Sequence, residues 1–213
     1  MKNVVGIFFW CSLLVLEAGA QVHFFKNAEV ESLVENHETI ATLPFQARVT
    51  LPPNQMQSLS ADELASLERL EGQSIQQALF TWFQNHKEKG ELTVNVQDPA
   101  VTNSKLTAAG ISLHNYQDIA PAHLAAVLGV DAIVIGSYET NLPLAARSPQ
   151  DREGKTPGEA NLAVINLFIY NAADGELLVQ FHNGIYGSKA RLNDGLIEAL
   201  LKKVSRKMVY AKT

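Results

Sequence analysis

One stretch, residues 121–181, restricts the possible folds more than any other. It reads PAHLAAVLGVDAIVIGSYET, then a polar interval, then NLAVINLFIYNAADGELLVQF. Pro121 stands at the position proline prefers in a helix, and Gly129 supplies the C-terminal stop. A strand follows almost at once over residues 131–140. Ala132, Ile133, Val134 and Ile135 are apolar in succession, as in a central strand buried on both faces. Residues 160–170 are again nearly all apolar, and 171–175, with Asp174-Gly175, read as a hairpin loop. Beyond it Leu177, Val179, Phe181 and Ile185 alternate with Gln180, His182 and Gly184, which gives that strand one wetter face. This order predicts an α/β domain.

The rest of the chain extends that reading. Residues 39–51 are rich in β-branched and apolar side chains, and Pro44 among them requires an edge position or a bulge. Ser60 and Glu63 form a capping box at the start of a helix. Leu64, Leu67, Ile75, Leu79 and Trp82 carry it at helical spacing to about Lys89. Gly72 interrupts it at a cost of about 1 kcal/mol against Ala, which a close helix–sheet contact would explain. Gly136, in mid-strand, reads in the same way, as a residue that permits close packing. Residues 92–96 alternate as a half-buried strand. Asp98-Pro99 opens a helix that ends near Gly110. A last helix starts near Asn193, with Ile197, Leu200, Leu201, Val204 and Met208 as its apolar stripe. Lys202, Lys203, Arg206 and Lys207 in its final turns either complement the helix dipole or face an anionic partner.

The expected architecture is one α/β domain over residues 39–213. It has a mixed sheet of about five strands with helices packed on it, in the order β-α-β-α-α-β-β-β-α. Residues 21–38 read as a loosely held N-terminal arm. The polar interval 141–159, with Pro143, Pro149, Gly154, Pro157 and Gly158, reads as a mobile loop. Ile133, Ile135, Ile165 and Phe168 are the expected core of the two central strands.

The N-terminus bounds the compartment. Lys2 precedes an apolar run from Val4 to Leu16, followed by Ala18-Gly19-Ala20. A charged start, a short apolar segment and an A-x-A site describe a secretory signal peptide over residues 1–20. The run is shorter than the roughly 20 residues of a membrane-spanning helix, although an uncleaved anchor is the competing reading. Cys11 is the only cysteine and lies inside the apolar run, not at a lipid-accepting cleavage point. The mature chain is thus expected to carry no disulfide, thiol chemistry or lipid. It should be periplasmic or secreted, without stable membrane insertion. Removing Lys2 and Glu17 with the leader leaves the net charge at −5, which offers no footprint for nucleic acid.

No motif points to chemistry. His23, His37, His86, His114, His123 and His182 show neither H-x-H nor H-E-x-x-H spacing, and read as scattered surface residues. There is no G-x-S-x-G, P-loop or G-x-G-x-x-G. Asp62/Glu63 and Glu68/Glu71 read as solvated helix-surface pairs, and Asp174-Gly175 as turn residues. The expectation is no catalytic residue, no cofactor and no metal ligand.

The segment from Ala122 to Phe181 resembles a bacterial envelope superfamily. Its members include the curli secretion channel CsgG, the LpoB-type activators of penicillin-binding proteins and the amino-terminal domain of TolB. The matching residues are Leu124, Ala125, Leu128, Gly129, Asp131, Ala132, Gly136 and Ser137, with Asn171, Asp174 and Gly175 in the following turn. The resemblance implies a mixed sheet with packed helices and a non-enzymatic envelope role, and carries over no catalytic residue. Many relatives are lipoproteins, and this chain lacks their cysteine. The interval 141–159 is too polar to form the membrane hairpins of the curli channel. The expected function is a binding or adaptor module acting on another envelope protein, through a sheet edge or the 141–159 loop. The alternatives are a self-associating scaffold or secretion-assembly component, and an unrecognised hydrolase.

Overall fold

The computed structural model describes residues 23–113, 116–141, 162–186 and 209–210. The expected leader, the polar interval beyond Asn141 and the expected last helix lie outside the described residues. Among the described residues seven strands form one open, mixed sheet. In chain order they are β1 (His23–Lys26), β2 (Thr39–Thr42), β3 (Gln46–Val49), β4 (Asn95–Val96), β5 (Ala132–Thr140), β6 (Leu162–Asn171) and β7 (Leu177–Tyr186). The helices are α1 (Val30–Val34), α2 (Pro53–Met56), α3 (Ala61–Glu88), α4 (Pro99–Ala108) and α5 (Pro121–Leu128). The sheet runs β1-β7-β6-β5-β2-β4, with β3 also beside β5. β1, β7, β6 and β5 are antiparallel neighbours. β2 and β3 run parallel to β5.

Two strands beyond the expected five have separate causes. The N-terminal segment is not a loose arm. His23–Lys26 pairs with β7, and Val30 of α1 is fully buried. The second extra strand arises at Pro44, which splits residues 39–51 into β2 and β3. Thr42 is opposite Val134 and Gln46 opposite Ser137. Four steps along one strand therefore face three along the other, which is a bulge. Pro44 has no N–H to contribute to the ladder. Its carbonyl accepts the buried Tyr116 hydroxyl at 2.6 Å, and the next amide, of Phe45, donates to the Gly72 carbonyl of α3 at 3.1 Å.

α3 covers one face of the sheet. Ser60 and Glu63 close the capping box at its start. Its buried stripe is Glu71, Gly72, Ile75, Gln76, Leu79, Trp82 and Phe83. Each fully buried aliphatic or phenyl side chain in that stripe contributes about 1.5–3 kcal/mol. Gly72 is required by contact: a Cβ there would lie 2.0 Å from the Phe45 carbonyl oxygen. The Phe45 ring in turn fills the space over Gly136, where a Cβ would lie 2.5 Å from a ring carbon. Glu71, expected on the solvated side of α3, is fully buried because it falls on the same stripe as Ile75.

α4 and α5 cover only part of the opposite face. Leu106, Leu124, Ala125 and Leu128 pack there on Ala41, Leu43 and Ile133. Gly129 ends α5 with φ +65°, and Asp131 then accepts the Glu38 and Thr39 amides at 2.8 and 2.9 Å. That carboxylate ties the start of β2 to the entry of β5. The hairpin turn is closed by Gly175 at φ +75° and by Asp174, which accepts the Glu176 amide at 2.8 Å. Ile133 and Ile165 are buried as expected, but Ile135 and Phe168 are only half-buried. They are register partners on the partly covered face.

Candidate functional site

The part of the sheet beyond α5 carries an ordered set of polar groups. Register partners on adjacent strands share a face. Gln46 is opposite Ser137, Ser137 opposite Asn166, Asn166 opposite His182, and His182 opposite His23. One row across β3, β5, β6, β7 and β1 is therefore polar at every position. The row is joined in its middle: the Asn166 Nδ2 donates to Ser137 Oγ at 2.9 Å, and the His182 Nδ1 meets Asn166 Oδ1 at 2.6 Å. The His23 and His182 rings follow, with centroids 5.9 Å apart.

The rows on either side differ in character. Toward α5 lie Ile135, Phe168, Gln180 and Phe25, again in register. Phe168 stacks on Tyr170 at 6.3 Å, and Phe25 at the outer strand is 48% exposed. On the other side lie Arg48, Glu139 and Val164. The surface thus sets apolar and aromatic groups beside hydrogen-bonding groups that are already oriented by one another.

At the β3 end this surface runs into a cleft of about 390 Å³ lined by Phe45, Gln46, Arg48, Glu68, Arg69 and Gln117, among others. Among the described residues no ion pair joins Arg48 or Arg69 to Glu68 or Glu139. The cleft does not offer a free strand edge. Thr50 donates to Thr140 of β5, so the alternate amides of Phe45, Ala47 and Val49 point away from the sheet. The Phe45 amide is taken by the Gly72 carbonyl and the Val49 amide by Glu68 Oε1 at 3.1 Å. α3 therefore blocks strand addition along β3.

Among the described residues the other histidines do not converge on the row, and His114 lies outside the described residues. His37 accepts or donates at Tyr210 Oη, 2.9 Å away, and its ring is held below its ordinary pKa by loss of hydration, partly opposed by Asp131. His86 lies against Trp82 on α3, and His123 is exposed on α5. Among the described residues no three His, Cys, Asp or Glu side chains gather as a metal site. No described helix is long and apolar enough to cross a membrane. The sequence signals that lead to the row are slight: Asn166 is the one polar side chain within LAVINLFI, and His182 lies on the wetter face of β7.

No protein-family model matches the chain, and no curated protein matches it either. Solved structures that match the chain include lipoprotein GNA1162 from Neisseria meningitidis, at 14% identity and a TM-score of 0.45, over 80% of this chain and 96% of that one. The PelC dodecamer from Paraburkholderia phytofirmans is similar at 8% identity and a TM-score of 0.40, over 91% and 99% of the two chains. The LpoB C-terminal domain from Escherichia coli is similar at 11% identity and a TM-score of 0.35, over 73% and 91%. At these values the likenesses do not bear on what this chain binds.

Proposed function

We propose that this chain is a non-enzymatic adaptor of the bacterial cell envelope, which binds another envelope protein through the half-open face of its sheet. The observation that carries the reading is the polar row flanked by Ile135, Phe168 and Phe25. Apolar area supplies the drive for association, and fixed hydrogen-bonding groups supply its register. The A-x-A leader and the sequence resemblance support the compartment and the absence of chemistry. Strand addition along β3 is not the proposed route, because α3 takes the outward amides of Phe45 and Val49.

A photo-crosslinking residue placed at Phe168 or Val164, in cells, tests this. The expected product is one discrete adduct heavier than two copies of the chain or distinct from them in mass. The same residue at Leu70, 52% exposed on α3, should give none. Adducts at the mass of a dimer would replace the adaptor by a self-associating scaffold, and no adduct from either position would remove the half-open face from function. Intact mass of the exported protein checks the leader, with loss of residues 1–20 and no acyl addition expected.

A further inference from the structure

We infer that His23 and His182 form a two-histidine site for a divalent transition-metal ion, of which Zn²⁺ is the type, on the open face of the sheet. This inference is independent of the adaptor reading. The two residues lie 159 positions apart in sequence, and the pairing of β1 with β7 sets them directly opposite each other. Their rings are 5.9 Å apart between centroids, with planes inclined by 47°. Two imidazoles on one tetrahedral zinc, each with a bond of about 2.0–2.1 Å, have centroids about 5 Å apart. Small side-chain rotations close that difference, and His23 is exposed and free to make them.

The row prepares one of the two ligands. The Asn166 Nδ2 is directed to Ser137 Oγ, so its carboxamide oxygen faces His182. That oxygen can only accept, so His182 Nδ1 carries the hydrogen and donates it. The lone pair is then on Nε2, the nitrogen left for a metal ion. Metal-binding histidines characteristically donate their second nitrogen to such an acceptor, which fixes the tautomer and the ring plane. Asn166 is therefore a positioning residue, with Ser137 behind it. The remaining coordination positions are open to water or to a partner's side chain. A bound ion would also bridge the outermost strand to β7, so it should stabilise the edge of the sheet.

The test uses the untagged mature chain and Zn²⁺. If the leader is removed after Ala20, His23 becomes the third residue, and an amino terminus two residues before a histidine chelates Cu²⁺ without a second ring. Zn²⁺ reports on the ring pair instead. Zn²⁺ is expected to shift the ring resonances of His23 and His182 together in NMR spectra, and to raise Tm. His23→Ala and His182→Ala should each weaken binding by at least the roughly tenfold to hundredfold typical of losing an outer-shell partner. Asn166→Leu should weaken it about tenfold and release the His182 tautomer, seen in its ring ¹⁵N shifts, whereas Asn166→Asp keeps an acceptor and retains binding. His123→Ala should change nothing. Zn²⁺ affinity that follows His86 or His123, or that survives His182→Ala in the folded variant, would overturn the site, as would unmoved His23 and His182 resonances in the wild type.

Discussion

The two faces of the sheet are built from the same strands yet differ in what their side chains are for. Under α3, Tyr138, Ile165, Leu167 and Phe181 are excluded from water, and Gly72 and Gly136 are dictated by sub-van-der-Waals distances to backbone and ring. On the opposite face α4 and α5 stop short. Ile135, Phe168 and Val164 stay half-exposed, and the polar groups between them bond to one another across strands. A face closed by a long helix spends its residues on packing. A face left open can spend them on recognition. Alternation along β6 makes the contrast sharp, since Ile165, Leu167 and Ile169 point one way and Asn166 and Phe168 the other.

The comparison breaks most directly by truncating one aromatic from each face. Phe181→Ala should cost about 3–5 kcal/mol, as core phenylalanines do. Phe168→Ala should cost about 1 kcal/mol, roughly half the value of burying a phenyl side chain. Urea melts that return equal losses would show that the second face is closed as well. Gly72→Ala comes next. Alanine normally gains about 1 kcal/mol over glycine in a helix, but here it meets the Phe45 carbonyl and should lose about 1–3 kcal/mol, the usual range for overpacking. A stabilised variant would mean that α3 does not lie so close to β3.

Smaller effects sharpen the same contrast. Ser60→Ala removes the cap of the covering helix and should cost about 1 kcal/mol, with amide exchange rising first in the opening turns of α3. The smallest effect concerns pH. His37 binds its proton less readily in the folded chain, chiefly because its ring has lost water. The unfolded chain therefore takes up more protons, and this contribution to stability is complete above about pH 6.5 and declines as pH falls. Tm should drop on acidification from about pH 7 to about pH 5, and His37→Gln should flatten the slope. An unchanged slope would assign the acid sensitivity elsewhere.

Much of the local structure was legible in the sequence. Ser60 with Glu63, Pro121 with Gly129, and Asp174 with Gly175 each specify a backbone conformation within a few residues. Helix ends and turns are decided at that range. Gly72 and Gly136 announced close approaches without saying to what. The N-terminal segment gives little sign of its strand, because β1 is only four residues long and its partner lies at the other end of the chain. The half-burial of Phe168 is hidden for a different reason. In a run that is apolar at nearly every position, period-two alternation shows no contrast, so the side that faces α3 cannot be chosen from hydropathy.

By itself the sequence determined the class of the fold, the order of its main elements and the turns between them. These follow from short-range rules of capping, backbone freedom and apolar length. Only the tertiary structure decided which face of the sheet the described helices leave partly uncovered, and that Gln46, Ser137, Asn166, His182 and His23 stand in one row. A row of that kind depends on the register of five strands at once. A slip of one residue in any of them would turn its side chain to the other face.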